Sequence, residues 1–240
     1  MRKRLFLFLV LFSVALSAQE KTKKWDYPVK PGMEEWRNFQ SNEEMVKACQ
    51  IPEKVLYKLS TEDLIEICLQ YPLLLDMFAF DNLNNGVAKL LNDFNGIREL
   101  GKRDGIYNGL LKRYNEKLKN ISLLDKNVSN LEKGYYIISI STLEVLLCSL
   151  NSPDINSIIE AKNILKSLVT GYESKFVYID YFKGFGFQTN IYSRAHIISK
   201  INNRSIELLP QKSNNSTFIS GITDDNSIQI IDQLSNQLIK

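Results

Sequence analysis

Three cysteines and one histidine are the side chains of this 240-residue sequence best suited to nucleophilic chemistry. A cysteine nucleophile needs an imidazole close enough to hold it as a thiolate. Cys68 and Cys148 each lie within an apolar run, where a thiol behaves as a small buried side chain. His196 lies in a segment with the spacing of an ordinary amphipathic helix. The pattern favours structural roles over a catalytic Cys–His pair, and we expect no catalytic residue.

The most distinctive polar cluster is Asn95-Gly96-Ile97-Arg98-Glu99. The favoured interpretation is structural: Gly96 ends a helix, and Arg98 and Glu99 form ion pairs. The alternative is a polar pocket formed by Asn95, Arg98 and Glu99. In such a pocket the Arg98 guanidinium would hold a carboxylate or another anion through two hydrogen bonds.

Other patterns do not select a chemistry. Adjacent acids occur at four places, but neighbours on a helix point in different directions, whereas glycosidase carboxyls face each other across roughly 5–10 Å. Three of these doublets sit at expected helix starts, where the helix dipole accounts for them; the four are Glu34-Glu35, Glu43-Glu44, Glu62-Asp63 and Asp224-Asp225. No Cys-x-x-Cys, histidine pair or calcium loop occurs, so we expect no metal site and no cofactor.

Gly184-Phe185-Gly186-Phe187 alternates glycine with phenylalanine rather than forming a phosphate-binding loop. We interpret Lys183–Phe187 as a tight loop that inserts aromatic rings into the core. A surface on which sugars stack is the alternative.

The periodicity of the chain predicts helix after helix. Ser41 with Glu44, and Ser60 with two following acids, are typical helix starts. Apolar residues then recur at helical spacing, for example from Leu64 to Tyr71. The run Leu73–Phe80 indicates a buried helix. The fold class we expect is all-α, one irregular multi-helix domain that is α-solenoid-like or orthogonal.

Two later segments are less uniform. The first half of Tyr135–Leu150, Tyr135–Ile138, could form a strand, whereas its second half is typical of a helix. The clearest helix is expected to begin at Ser152 and Pro153 and to continue to Tyr172. A last helix is expected at Asp225–Leu238.

The first eighteen residues have the pattern of a signal peptide. Basic Met1–Arg4 precedes an apolar run of about twelve residues, too short to span a bilayer as a helix. Cleavage between Ala18 and Gln19 is slightly favoured over use of Ala15-Leu16-Ser17. Without these residues the formal charge of +3 disappears, leaving 27 basic and 27 acidic residues. The sequence thus predicts export to the periplasm or exterior, no membrane anchor after cleavage and no nucleic-acid partner.

Export would place the cysteines in a compartment that permits disulfides. Cys49 and Cys68 lie on two nearby expected helices and are the favoured pair if one forms. Three buried free thiols are the alternative. The domain organisation we expect is a signal peptide at 1–18, an extended lead-in at 19–40, a helical domain at 41–205 and a looser C-terminal extension at 206–240.

An ordered set of peptides resembles an uncharacterised family of secreted helical bacterial proteins, found mainly in the Bacteroidetes. The resemblance extends to about the Gly-Phe segment and implies no established activity. The peptides are Tyr27–Gly32, Glu35-Trp36, Cys49–Pro52, Leu59–Leu64, Tyr71-Pro72 and Phe94–Leu100. Some similar proteins continue into Asn-Cys-His-Ser-Tyr-Ala-Trp, which looks like a cysteine-hydrolase motif. This sequence lacks that motif.

The sequence therefore predicts an exported, non-catalytic helical module that binds an unknown protein or envelope component, or serves a structural role. The alternatives are an envelope-directed hydrolase of cysteine or carboxylate type, and an inhibitor or immunity-type partner of a secreted enzyme.

Overall fold

The computed structural model describes residues 25–80, 82–150, 157–202 and 225–240. Within these ranges the protein is all-α, as the periodicity predicts. The α-helices are α1 Glu34–Arg37, α2 Asn42–Ala48, α3 Glu53–Leu56, α4 Thr61–Leu69, α5 Leu83–Asp93, α6 Asn95–Leu100, α7 Ile106–Lys119, α8 Asn130–Ser149, α9 Ile158–Phe176, α10 Ile179–Phe182, α11 Phe185–Asn202 and α12 Asp225–Leu238. Short 3₁₀ helices occupy Leu74–Phe78 and Ile121–Asp125.

The N-terminal part of the described chain packs around an aromatic cluster. The rings of Tyr71 and Phe94 stack with centroids 4.1 Å apart and an interplanar angle of 10°. Tyr27 packs beside both rings, and its hydroxyl donates to the carbonyl of Ile67 at 2.9 Å. The expected extended lead-in therefore contributes a buried side chain to the core, and it also contains the short helix α1.

The later part of the chain is built from longer helices. Helix α11 packs along both α8 and α9, and α7 contacts the same two helices. The final helix α12 packs on α11 and α9. The predicted last helix is thus confirmed over its whole length, and it belongs to the packed structure.

Serine caps fix several helix starts. The Ser41 Oγ accepts from the Glu44 N–H at 3.3 Å, and the Ser60 Oγ accepts from the Asp63 N–H at 3.0 Å, which confirms both predicted starts. Ser129 forms a complete capping box with Glu132 at the start of α8. A serine cap satisfies N–H groups in the first turn of a helix, which have no partner within the helix. The chain can therefore begin the short helices α2 and α4 without leaving these groups unpaired.

Two predicted elements are wrong. Leu73–Phe80 forms only the 3₁₀ helix Leu74–Phe78, where the backbone of Met77 packs directly against Gly86 of α5. A Cβ on Gly86 would lie 1.8 Å from the Met77 carbonyl oxygen, so this is a backbone-to-backbone contact. The segment Lys183–Phe187 is also not the expected loop, because its last three residues form the start of α11, which begins at Phe185. Gly184 alone makes the turn, with a left-handed φ of 75°.

Other predictions are corrected or untested. Tyr135–Ile138 is helical, since α8 runs unbroken through it. Ser152 and Pro153, Ala18 and Gln19, and most of the C-terminal extension lie outside the described residues. The described helix α9 begins after Ser157, whose Oγ accepts from the Glu160 N–H at 3.1 Å. None of the described helices has the length and apolar composition needed to cross a bilayer.

Candidate functional site

Asn95 has a structural role at the start of α6. Its side-chain oxygen accepts from the Ile51 N–H at 3.0 Å, and its amide nitrogen donates to the Ile51 carbonyl at 2.7 Å. Its own N–H donates to the side chain of Gln50 at 3.1 Å. Asn95 therefore ties α6 to the segment between α2 and α3, and its hydrogen-bonding groups are used by the backbone.

Arg98 and Glu99 point to different neighbours. Arg98 is exposed and donates to the carbonyl groups of Leu91 and Asn92 at the end of α5. The Glu99 carboxylate accepts from Arg103 Nε at 2.8 Å. The structure thus does not bring Asn95, Arg98 and Glu99 together into the alternative pocket.

Gly96 does not end a helix, contrary to the favoured interpretation. Helix α5 ends at Asp93, the next residue Phe94 has an extended backbone, and Gly96 is the second residue of α6. A Cβ at Gly96 would lie 2.5 Å from the Phe94 ring, so glycine is needed there for packing against the aromatic cluster.

The three cysteines are buried free thiols. Burial raises the pKa of Cys49 to about 11 and also raises the pKa values of Cys68 and Cys148. Each is therefore a neutral thiol at physiological pH rather than a thiolate nucleophile. Cys49 and Cys68 are separate thiols in this structure, and a disulfide between them stays a prediction.

His196 packs its ring against Tyr192 with centroids 4.2 Å apart. Burial, and secondarily the charge of Lys200, lowers the pKa of His196 to about 4. The Cys148 sulfur lies near the Val145 carbonyl and the Ser193 hydroxyl instead, at 3.2 and 3.5 Å. The geometry places no thiolate–imidazole pair here, in line with the structural interpretation of both residues.

The most distinctive polar arrangement in the described chain is a buried network centred on Glu144 of α8. Its Oε1 accepts from Lys175 Nζ at 2.6 Å, Asn190 Nδ2 at 2.8 Å and the Tyr114 hydroxyl at 2.8 Å. Its Oε2 accepts from the Thr189 hydroxyl at 2.8 Å. All five side chains are fully buried. We call this group the Glu144 network.

The network joins helices that are distant in sequence. Glu144 comes from α8, Lys175 from the last turn of α9, and Asn190 from α11. Lys175 Nζ also donates to the Gly186 carbonyl at 2.7 Å, and its ammonium lies 5.2 Å from the Phe182 ring centroid. The bonds from Lys175, Asn190 and Tyr114 to one carboxylate oxygen fix how α9, α11 and α7 lie against α8.

Burial sets the electrostatics of the network. Loss of hydration lowers the pKa of Lys175, while the neighbouring Glu144 carboxylate acts in the opposite direction. Burial also raises the pKa of Tyr114 well above its ordinary value, so its hydroxyl stays protonated and donates. The Asn190 side-chain oxygen is buried and accepts no hydrogen bond within the described part of the chain. That last group is the unusual one, because buried polar atoms are nearly always paired.

A glycine makes room for the network. A Cβ at Gly171 of α9 would lie 1.9 Å from the Tyr114 hydroxyl oxygen. A side chain at this position would push Tyr114 away from Glu144. The glycine near the end of this helix is therefore a packing requirement.

A second buried charge lies next to the network on α11. The Arg194 guanidinium donates to Asp232 Oδ1 at 2.6 Å and to the Ser235 hydroxyl at 2.8 Å, both on α12. Its other side lies over the Tyr172 ring, 5.2 Å from the centroid. Arg194 therefore links the last helix to α9 and α11.

Sequence reasoning missed the Glu144 network, although one signal was present. Glu144 is a single acid inside the apolar segment Thr142–Leu147, at a position that faces neighbouring helices. An acid so placed needs buried partners. Nothing in the sequence identifies Lys175 and Asn190 as those partners, because the contact depends on how the helices cross.

Two surface clefts of about 270 and 490 Å³ lie on the helical faces. Arg113 and Glu66 form an ion pair in the lining of the first cleft, and Lys89 and Asp93 form one in the lining of the second. Within the described ranges, no group of three or more His, Cys, Asp or Glu residues could hold a metal ion.

No protein-family model, no curated protein and no solved structure matches this chain.

Proposed function

We propose that this protein is an exported, non-catalytic helical module that binds a protein partner through an exposed apolar corner between α9 and α10. We define the apolar corner as Phe176, Val177, Ile179 and Tyr181. This surface is the observation that carries the proposal.

The apolar corner exposes an unusual amount of hydrophobic side chain in a short stretch. Phe176, Val177, Ile179 and Tyr181 are 52, 79, 49 and 40% exposed. Single exposed apolar residues are common, but four within six consecutive residues are a candidate interaction site. Aromatic and aliphatic side chains of this kind form the centres of protein–protein interfaces.

The apolar corner is held in place by its surroundings. The Tyr178 hydroxyl donates to Asp125 at 3.0 Å, and Lys133 Nζ donates to the Tyr181 hydroxyl at 3.2 Å. Phe176 rests on the ring of Phe187, with centroids 5.1 Å apart. A preorganised apolar surface loses less conformational entropy when a partner binds.

The state of the reactive groups supports a non-catalytic role. The three thiols are neutral and buried, and the pKa of His196 is about 4. The Glu144 network is enclosed among helices and uses its donors internally. Export rests on the sequence pattern at residues 1–18, and the same pattern favours a mature chain that starts at Gln19.

The binding proposal is tested by capture from the periplasmic or envelope fraction of the producing cell. We expect Val177→Asp and Ile179→Asp to weaken binding of the captured partner roughly tenfold or more, because each buries a charge at the centre of the interface. Tyr57→Asp is the matched control, since Tyr57 is 64% exposed and lies on the separate N-terminal part. Equal capture by all variants would contradict the assignment of the apolar corner.

The non-catalytic part of the proposal has its own test. The purified protein is incubated with peptidoglycan, peptides and glycans, and the products are examined by mass spectrometry. We expect no turnover. Hydrolysis that is lost in His196→Ala or in a cysteine variant would overturn this part and favour the hydrolase alternative.

A further inference from the structure

The Glu144 network brings an amine and a carboxamide to the same carboxylate oxygen. Lys175 Nζ and Asn190 Nδ2 bind Glu144 Oε1 at 2.6 and 2.8 Å. Both side chains are fully buried, so they meet at this one acceptor without access to water. Reacting groups held this near each other in a fixed frame can reach large effective concentrations.

We propose that Lys175 and Asn190 are a site of covalent self-modification, in which they form an intramolecular isopeptide bond with Glu144 as the acid–base catalyst. The bond would join the end of α9 to the second turn of α11. It goes beyond the binding role, which does not depend on it.

The reaction balances without any co-reactant. The neutral Lys175 amine attacks Asn190 Cγ, a Nζ–Cγ bond forms, and the carbonyl electron pair moves onto Oδ1. Glu144 accepts one Nζ proton and passes it to Nδ2. The Oδ1 pair then returns, the Cγ–Nδ2 bond breaks, and ammonia leaves. The product is a secondary amide whose remaining N–H faces Glu144.

Three observations fit this chemistry better than they fit a permanent ion pair. Full burial favours the neutral form of Lys175, which is the nucleophilic form. Asn190 Oδ1 accepts no hydrogen bond from the described residues, so no donor holds the amide in its unreacted state through that atom. Asn190 Nδ2, the nitrogen that would leave, donates to the Leu168 carbonyl at 2.9 Å as well as to Glu144, so the amide is held in one orientation beside the carboxylate.

The wild-type chain decides whether the bond exists. After several days in the folded state at neutral pH, the denatured protein is weighed by intact-mass spectrometry and digested with trypsin. We expect a mass lower than that of the sequence by one ammonia. We also expect a branched peptide that joins residues 167–183 to residues 184–194, because trypsin does not cleave after an acylated Lys175.

Peptide mapping excludes other losses of ammonia. An N-terminal Gln19 can cyclise, and an Asn-Gly pair such as Asn95-Gly96 can form a succinimide, each with the same change in mass. Ammonia lost only at such positions, or an unchanged mass, would overturn the proposal. Lys175→Arg should lack the branched peptide, whereas Lys166→Arg, on the exposed face of the same helix, should retain it.

The role of Glu144 is tested by the rate of linkage. We expect folded Glu144→Gln to form the bond roughly 100-fold more slowly, as is typical when a general acid–base group is removed. Linkage at the wild-type rate would overturn the assignment of Glu144. If Glu144→Gln does not fold, linkage is followed in refolding wild-type chain from mildly acidic to mildly alkaline pH. A rate independent of pH would then count against acid–base catalysis.

Discussion

The aromatic cluster around Phe94 and the Glu144 network are two regions of one buried interior, and they are stabilised in different ways. Around Phe94, stacked rings bury apolar surface, and polar side chains such as Asn95 bond to backbone groups at the edge. In the region around the Glu144 network, which we call the later core, ionisable and polar side chains bond to one another across helices with no access to water.

The difference teaches where each part of the molecule tolerates change. An apolar core loses stability in proportion to the volume removed, because the cost is lost packing. A buried ionic network depends on each member, because removing one partner leaves another charged or polar group unsatisfied. We therefore expect the removal of one glutamate carboxylate to lower the free energy of unfolding by very different amounts in the two regions.

Glu144→Ala should show the largest effect. It leaves the buried donors of Lys175, Asn190 and Tyr114 without their common acceptor, and we expect the free energy of unfolding to fall by about 3–5 kcal/mol in urea titration. Glu99→Ala is the matched change in the N-terminal part. Its partner Arg103 is partly exposed and keeps bonds to the carbonyls of Leu56 and Leu59 at 3.1 and 3.0 Å, so we expect a loss below about 1 kcal/mol. If Glu144→Ala and Glu99→Ala lowered the free energy of unfolding by similar amounts, the proposed difference between the two regions would be wrong.

His196 should make the later core acid-sensitive. The pKa of His196 is about 4 in the folded protein and 6.5 for an ordinary histidine, which we take for the unfolded chain. Between pH 4 and pH 6.5 the unfolded chain therefore binds more protons than the folded protein. Stability is therefore highest above pH 6.5 and is lost as the pH falls towards 4, by on the order of 3 kcal/mol at about 1.4 kcal/mol per pH unit. We expect His196→Leu to reduce this slope in unfolding titrations; an unchanged slope would place the titrating group elsewhere.

Two buried tyrosines offer the finest comparison. The Tyr114 hydroxyl donates to the Glu144 carboxylate, and we expect Tyr114→Phe to lower the free energy of unfolding by about 1.5–3 kcal/mol, because a buried hydrogen bond to a carboxylate is lost. The buried Tyr71 hydroxyl has no hydrogen-bond partner within the described residues, so Tyr71→Phe should leave the melting temperature equal or slightly higher. If Tyr71→Phe lost more stability than Tyr114→Phe, the proposed difference between the two hydroxyl groups would be wrong.

Much of the fold follows from local patterns. Ser41 and Ser60 predict helix starts because their capping bonds involve residues only three positions away. The predictions for Leu73–Phe80 and Lys183–Phe187 are wrong for a tertiary reason. In the first case the backbone of Met77 packs against Gly86 of α5, a contact that the local sequence does not specify. In the second, Gly184 turns the chain within a single residue.

The candidate site was harder to predict than the helices. The polar residues that stand out in the sequence are Arg98 and Glu99. Their side chains bond to different groups nearby in the chain and do not form one pocket. The residues that meet in the core, Glu144 and Asn190, are 46 positions apart. Only the apolar surroundings of Glu144 indicate its burial, and no local rule specifies its partners.

The contact between Arg194 and α12 also imposes an order on the maturation of the chain. Synthesis runs from the N-terminus, so α11 leaves the ribosome before α12. During that interval Arg194 has neither Asp232 nor Ser235, the groups that satisfy its charge in the finished structure. The later core therefore reaches its final packing only after α12 has emerged, and an intermediate ending near Asn202 would expose the guanidinium to the surrounding water, chaperones or translocation machinery.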